Sequence, residues 1–176
     1  MVEEEDYIED ISGNMKKNNK KIRNATICKD NSVTFKSVLE KSLYKTLLEL
    51  GFHPQYEPRT FVVWEGFTSV TPFYDKETDS QRDKRDPRSS KILVEKSPIV
   101  QPIRYTPDIY FEYNGIDVWI EVKGIENDIF YIKKKLFRKY LDEVQTTTGK
   151  KSLYFEVYTK KQLLQAIEIV KGYGQE

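Results

Sequence analysis

Two acidic residues and a lysine near the middle of the chain have the types and the spacing of a hydrolytic site. Asp108 is followed after an interval of twelve residues by Glu121, and Lys123 stands two positions beyond Glu121. Successive side chains of a β-strand point to opposite faces, so Glu121 and Lys123 share one face of a strand predicted over 116–123. The alternate positions of that strand are all apolar and predict its buried face: Ile116, Val118, Ile120 and Val122.

A tight turn predicts how the first acid reaches the second. Asn114 and Gly115 accept the left-handed backbone of a two-residue hairpin loop, and they separate predicted strands over 105–113 and 116–123. Antiparallel pairing across that turn brings Asp108 beside the acid of the return strand or close to it. Two carboxylates and one ammonium group are therefore expected in a single patch.

Such a patch predicts metal-dependent chemistry. Neighbouring carboxylates repel each other unless a cation shares their charge, and Mg²⁺ prefers oxygen ligands. Asp108 and Glu121 therefore predict a Mg²⁺ site, with Mn²⁺ expected to substitute. The cation would polarise a phosphoryl oxygen and lower the pKa of a water, while Lys123 orients that water or offsets charge in the transition state. This chemistry is phosphodiester hydrolysis; the alternative is a solvated strand with an ordinary Glu–Lys ion pair.

A helix before these strands carries a further acid. The segment 35–51 has apolar residues at three- and four-residue intervals and ends at Gly51, which predicts an amphipathic helix. Glu40 lies in its first turn and fits two roles. It is either the second residue of an S-x-x-E capping box that begins at Ser37, or an additional acid of the site.

The remaining periodic segments complete an α/β pattern. Aromatic and β-branched residues predict a strand over 56–64, which 67–74 continues as a hairpin, and a short strand over 92–94. A last strand over 153–158 and a closing helix over 159–170 follow. The order of helix, strand, hairpin, helix, strand and helix predicts a central sheet flanked by helices.

A second helix, predicted over 128–144, is strongly basic on its polar side. The basic residues that border its apolar stripe and that we regard as candidates for nucleic-acid binding are Lys133, Lys134, Lys135 and Arg138. Beside a phosphodiester site these side chains, together with Arg104 upstream, would contact phosphates of DNA. A merely solvated helix face is the alternative.

The composition bounds the domain organisation and the kind of metal site. A chain of 176 residues accommodates one sizeable core, which we assign to a single domain over 32–173 after a flexible charged extension over 1–31. Residues 75–91 have no apolar side chain and predict a long exposed loop. Cys28 and His53 are the single residues of their types, which excludes a Cys/His zinc cluster. The acidic start and the lack of a long apolar run predict a cytoplasmic protein with no membrane partner.

The site residues resemble the signature of the PD-(D/E)xK nucleases, the restriction-endonuclease-like superfamily. Pro107-Asp108, the twelve-residue interval and Glu121-Val122-Lys123 match that signature. In the superfamily an αβββαβ core, with a mixed central sheet flanked by helices, carries the signature on a β-hairpin, and an upstream helix donates a further Glu. Phe35-Lys36-Ser37 with Glu40, and Arg104 to Asp108, are similar to two narrower groups. These are the small phage endonucleases, which include Holliday-junction resolvases, and the endonuclease subunit of heteromeric bacterial transposases.

This resemblance covers residues 35–158 and implies a role for each matched residue. Asp108 and Glu121 would be metal ligands, with the backbone carbonyl of Val122 as a third. Lys123 would be the catalytic lysine, and Glu40 a further contact to the metal or to water. The basic helix resembles that of the phage group more than that of the transposase group.

The resemblance also implies partners and a biological setting. It implies a DNA endonuclease acting in recombination, replication or genome processing, in the host cell cytoplasm if a phage encodes it. A homodimer is expected if the substrate is branched or if two strands are cut, and a transposase or a phage replication or packaging protein is a candidate partner. Two alternatives stay open: a transposase nuclease subunit, and a catalytically idle nucleic-acid-binding or assembly module on the same fold. The chain has Glu57 where both groups commonly show Gln.

Overall fold

Helices and a mixed sheet make up the structure, a computed structural model that describes residues 7–9, 15–17, 27–30, 33–76, 92–124 and 128–173. The helices in these ranges are α1 (Val38–Glu49), α2 (Asp128–Thr148) and α3 (Lys160–Tyr173). The strands are β1 (Tyr7–Glu9), β2 (Met15–Lys17), β3 (Cys28–Asp30), β4 (Val33–Phe35), β5 (Gln55–Tyr56), β6 (Phe61–Trp64), β7 (Phe67–Thr68), β8 (Tyr74–Lys76), β9 (Leu93–Glu95), β10 (Ile99–Val100), β11 (Ile103–Tyr105), β12 (Ile109–Tyr113), β13 (Ile116–Val122) and β14 (Ser152–Val157).

The central sheet has four strands in the order β14-β13-β12-β5. β12 and β13 form the predicted hairpin, in which Tyr113 pairs with Ile116 across a loop of two residues. Asn114 and Gly115 have φ angles of 48° and 78°, the left-handed values that such a loop requires. β14 runs parallel to β13, so α2 forms the crossover between them. The expected α/β class with a mixed sheet and flanking helices is confirmed.

Helices cover both faces of the sheet, and the side chains of each strand alternate between the two faces. The apolar face predicted for β13 is buried against α1 and α3, where Val118 and Ile120 join the core cluster that includes Leu43 and Leu163. The opposite face packs against α2, with Trp119 in a second cluster of mainly aromatic residues. The residues of the site therefore lie on the α2 side of the sheet.

The strand predicted over 56–64 is wrong as a single element. β5 ends at Tyr56 and β6 begins at Phe61, because Glu57 takes a left-handed backbone with φ 42° and Pro58 cannot donate to a sheet. Three antiparallel pairs follow: β6 pairs with β11, β7 with β10, and β8 with β9. We call residues 61–76 and 92–105, which contain these six strands, the ribbon. The segment 67–74 thus pairs with residues beyond 92 and does not form a local hairpin.

The strand predicted over 105–113 is also divided. Tyr105 ends β11 in the ribbon, and β12 of the central sheet begins at Ile109. Pro107 has no backbone N–H, which prevents a continuous ladder through the intervening residues. Asp108 consequently lies at the point where the chain passes from the ribbon to the sheet.

The helices differ from their predicted bounds at the ends. α1 begins at Val38 because Phe35 belongs to β4, and the N–H of Glu40 donates to Oγ of the cap Ser37 at 3.2 Å. α2 continues to Thr148, one turn beyond its predicted end. Ile129 and Ile132 of α2 are exposed although both are apolar.

The extension predicted over 1–31 is described only in part. β1 pairs with β2, and β3 pairs with β4, in antiparallel fashion. The remainder of 1–26 and residues 77–91 of the predicted loop lie outside the described residues. No helix in the described ranges has the length and apolar character needed to cross a membrane.

Candidate active site

Asp108 is buried just before β12, and its side chain faces β13. Its Oδ2 accepts a hydrogen bond of 2.7 Å from the backbone N–H of Val122, and its own carbonyl accepts one of 2.8 Å from the N–H of Glu57. Ile109 pairs with Ile120, so Asp108 follows the same register to the position beside Glu121. The juxtaposition predicted from the hairpin is confirmed.

Glu121 is buried on β13 and has two partners on the α2 side of the sheet. One oxygen forms an ion pair with Lys123, as the shared strand face predicted. The other accepts a hydrogen bond from the Tyr105 hydroxyl. The Tyr154 hydroxyl lies 3.0 Å from that of Tyr105 and is the donor there, because Tyr105 directs its single proton to Glu121. These contacts fix the orientation of the Glu121 carboxylate.

Lys123 is held between a carboxylate and an aromatic ring. Its Nζ lies 3.8 Å from the centroid of the Phe130 ring, which is supplied by the first turn of α2. A cation over a ring face is attracted by the electrons of the ring, and the attraction increases when water is excluded. Phe130 therefore keeps the ammonium group near Glu121 rather than in solvent.

Glu40 is buried in the first turn of α1 and performs the capping role. Its Oε2 accepts hydrogen bonds from the Tyr56 hydroxyl at 2.5 Å and from the backbone N–H of Lys36 at 3.1 Å. Its Oε1 accepts one of 2.8 Å from Oγ of Ser37. The Ser37 half of the capping box is confirmed, whereas the Glu40 carboxylate accepts from the N–H of Lys36 rather than from that of the cap residue. The charge of Glu40 also acts on Asp108, as described next.

The electrostatics of the acid pair are unfavourable without a cation. Burial and, secondly, the charge of Glu121 raise the pKa of Asp108 to about 8, and the charge of Glu40 adds to this increase. Burial also raises the pKa of Glu121, against the lowering effect of Lys123. Burial, followed by the charge of Glu121, raises the pKa of Tyr105, which keeps its hydroxyl protonated as a donor.

A third strand adds another acid–lysine pair. Glu156 of β14 is the register partner of Glu121, so their side chains lie next to each other on the α2 side of the sheet. Nζ of Lys134 lies 2.9 Å from Oε2 of Glu156 and 5.3 Å from the centroid of the Phe130 ring. Lysines therefore alternate with carboxylates across the end of the sheet.

The candidate DNA-contacting residues are placed differently from one another. Lys134 is mostly buried in its pair with Glu156, whereas Lys135 and Arg138 are exposed and Lys133 is half-buried on α2. Nζ of Lys135 lies 4.7 Å from the centroid of the Tyr131 ring. Arg104 is exposed on β11. The sequence argument treated the helix lysines as equivalent, and their burial separates them.

The donor set fits a hard divalent cation. No group of three or more His, Cys, Asp or Glu side chains in the described ranges converges closely enough to hold a metal ion as it stands. Mg²⁺ usually keeps several waters and takes one or two carboxylates, which Asp108 and Glu121 offer. Each carboxylate has acceptor capacity for about four contacts, so the hydrogen bonds of these two acids leave room for a cation. Relief of the repulsion between the acids favours its binding.

Several residues around the acid pair were not assigned to the site from the sequence. Tyr105 and Glu156 contact or adjoin Glu121, and Lys36 forms an ion pair with Glu57 beside the N-terminus of α1. The signal for Glu156 was its place in the last predicted strand, but the register of a parallel pair is not readable from the sequence. Lys36 was assigned to the helix, whereas it precedes the cap.

Comparison of the chain with protein-family models, curated proteins and solved structures finds no match. The arrangement of the site residues is therefore the basis for any functional conclusion.

Proposed function

We propose that this protein is a divalent-metal-dependent nuclease that hydrolyses phosphodiester bonds in DNA. The observation that carries the proposal is the burial of Asp108 and Glu121 side by side, with Lys123 paired to Glu121. Burying two neighbouring carboxylates is costly for a purely structural role. A cation-binding role explains why both acids occupy this position.

The fold proposed with this function is a restriction-endonuclease-like core. The elements α1, β5, β12, β13, α2 and β14 follow one another in the order αβββαβ, apart from the ribbon inserted between β5 and β12. The hairpin of β12 and β13 carries the two acids, and α1 carries Glu40. This order supports the resemblance of the signature residues to the PD-(D/E)xK nucleases.

In this mechanism Asp108 and Glu121 would hold Mg²⁺, with the Val122 carbonyl as a further ligand. The ion, when bound, would polarise the phosphoryl group as a Lewis acid and lower the pKa of water. Tyr105 keeps the Glu121 carboxylate in one orientation by its hydrogen bond. Lys123 directs an ammonium proton toward the attacking water or a non-bridging phosphate oxygen, where negative charge increases in the transition state.

The proposed activity is tested by incubating the purified chain with supercoiled plasmid and with a synthetic four-way junction. We expect nicking or linearisation with Mg²⁺ or Mn²⁺ and none with EDTA. Preferential cutting of the junction would assign a branched substrate. Cleavage that persists in EDTA, or DNA that is bound and stays intact with either metal, would contradict the proposal and favour the idle binding module.

The proposal includes a homodimer formed through the ribbon. Apolar side chains are exposed along both of its sides, including Trp64, Phe67, Val70, Leu93 and Ile99. The rings of Trp64 and Phe67 are in contact, with centroids 5.6 Å apart. Exposed apolar surface is typical of interfaces, and an isolated two-stranded ribbon is marginally stable in water. The described residues of the ribbon carry three acids and three bases, which gives no excess of positive charge for a phosphate backbone. A second copy is therefore the partner that fits.

Replacing Phe67 with Glu is expected to convert the dimer to a monomer, because it places a charge inside the apolar interface. Light scattering after size exclusion measures the mass of each variant across a concentration series. Tyr173→Glu is the matched control, since Tyr173 on α3 is 48% exposed and Phe67 is 50% exposed. A monomeric wild type at every concentration would refute the interface, and weaker DNA binding by Phe67→Glu would then assign the surface to nucleic acid.

A further inference from the structure

An exposed ion pair lies on the α1 side of the candidate site. Nζ of Lys36 is paired with Oε1 of Glu57. The Lys36 side chain is 67% exposed, whereas that of Glu57 is 23% exposed. The backbone N–H of Lys36 donates to Oε2 of Glu40 and to the Tyr56 hydroxyl, each at 3.1 Å. These two hydrogen bonds therefore fix the backbone of Lys36, while its side chain extends toward solvent.

The backbone of Glu57 is joined to the site directly. Its N–H donates to the carbonyl of Asp108 at 2.8 Å, which extends the pairing of β5 with β12. Its φ of 42° is a left-handed value that glycine adopts readily and that costs other residues about 1 kcal/mol. Strained backbone at a site is a reason to ask what the side chain does there. The side chain of Glu57 contacts Lys36.

The ammonium group of Lys36 is close enough to the buried acids to be affected by them. Its hydrogen bond with Glu57 is the largest influence that raises the pKa of Lys36, and the charges of Asp108 and Glu40 raise it further. Lys36 is joined to Asp108 through Glu57, whose carboxylate it contacts and whose N–H donates to the Asp108 carbonyl, while Lys123 adjoins Glu121 and the Phe130 ring of α2. A nucleic-acid backbone that crosses the acid pair would therefore meet Lys36 on the α1 side and Lys123 on the α2 side.

We propose that Lys36 binds a backbone phosphate of the nucleic acid on the α1 side of the site, and that Glu57 holds the ammonium group in place until the phosphate displaces it. The inference rests on the proposed nuclease function and adds a substrate contact outside the acid pair. Because the Lys36 side chain is 67% exposed, its ion pair with Glu57 contributes little to folding stability, so a role in stability does not account for it. Phosphate competes well for the lysine because it carries a full negative charge at every linkage.

The two partners of this pair should have opposite effects on DNA affinity. Lys36→Ala removes a phosphate contact and should weaken binding about fivefold and reduce the salt dependence by about one counterion. Glu57→Gln removes the competing carboxylate and should tighten binding. Lys36→Arg should stay within about twofold of wild type, because the positive charge is kept. Fluorescence anisotropy with a labelled four-way junction, in Ca²⁺ and in EDTA across a salt series, measures these affinities without cleavage.

The matched control is the Lys171–Glu168 pair of α3, which is also exposed and has an Nζ–Oε1 distance of 3.2 Å. Lys171→Ala and Glu168→Gln make the same changes of net charge away from the acid pair. Their effects on affinity should be smaller than those at positions 36 and 57. Thermal unfolding of all variants distinguishes a binding effect from loss of structure.

Each outcome decides the inference. Opposite shifts at positions 36 and 57 that exceed the control pair support it. Equal effects in both pairs, or weaker binding by both Lys36→Ala and Glu57→Gln with lower unfolding temperatures, would overturn it. If wild type binds DNA in this lysine-dependent way but never cleaves with Mg²⁺ or Mn²⁺, the phosphate contact stands and the nuclease proposal fails. Wild type that neither binds nor cleaves DNA refutes both.

Discussion

Replacing Lys123 with Met, or Asp108 with Asn, is expected to reduce the rate of Mg²⁺-dependent DNA cleavage by about a thousandfold. Lys123→Met removes the ammonium group and keeps a long side chain that packs on the Phe130 ring. Asp108→Asn removes a ligand charge and keeps an oxygen that accepts the Val122 N–H. Both changes preserve shape, so the loss should arise from chemistry. Single-turnover cleavage at saturating enzyme measures it.

A second acid–lysine pair, whose acid lies on the same strand as Glu121, serves for comparison. Asp117 of β13 lies 2.8 Å from Nζ of Lys150, at the end of the hairpin remote from Glu121. Asp117→Asn and Lys150→Met should leave the cleavage rate within about threefold of wild type, since surface ion pairs contribute little. Cleavage by Lys123→Met at the wild-type rate would remove the lysine from the mechanism. Equal losses at Lys123 and Lys150 would indicate a general effect of charge.

The sequence was sufficient to predict the centre of the candidate site because local rules determine it. Asn114 and Gly115 define a two-residue loop, and strict alternation in β13 separates its apolar face from Glu121 and Lys123. Once the loop length is known, the register beside Asp108 follows by counting. The N-terminal cap of α1 is equally local, and Ser37 was predicted there correctly.

The residues around Asp108, Glu121 and Lys123 are positioned by breaks in the strands, which the alternation of apolar and polar residues does not predict. In a continuous strand Tyr105 would face away from Asp108, but the chain changes direction at Pro107 and brings the Tyr105 hydroxyl to Glu121. The division of 56–64 likewise depends on the left-handed Glu57, a residue type with no preference for that backbone. Residues 61–68 then pair with 99–105 over a long sequence interval, which no local pattern predicts.

Carboxylates outnumber ammonium groups among the described residues of the site. Five carboxylates (Glu40, Glu57, Asp108, Glu121 and Glu156) lie with three ammonium groups (Lys36, Lys123 and Lys134), so two carboxylates are in excess. Within the described part of the chain, Asp108 and Glu40 have no ion-pair partner. Burial is the largest cause that raises the pKa of Asp108 to about 8, and the charges of Glu121 and Glu40 add to it. A bound divalent ion would balance this excess.

That excess predicts that Asp108→Asn stabilises the metal-free protein at alkaline pH. Asp108 has a pKa of about 8 when folded, above its ordinary value of 3.8. The folded state therefore binds the proton more tightly, so the stability that this proton confers is full below about pH 4 and is lost as the pH rises through 8. Asn does not titrate, and the advantage of the variant should increase by roughly 3 to 4 kcal/mol between pH 5 and pH 8.

Urea unfolding in EDTA, followed by tryptophan fluorescence, measures this difference, because Trp119 is buried on the same face of β13 as Glu121. Asp117→Asn serves again as the control and should show the wild-type dependence on pH. At pH 8, Mg²⁺ should restore stability to wild type and have little effect on Asp108→Asn, since metal bound only by the folded state stabilises it. A wild type whose stability does not fall toward pH 8 in EDTA, or that gains as little from Mg²⁺ as the variant, would show that Asp108 is neither strained by its neighbours nor a cation ligand.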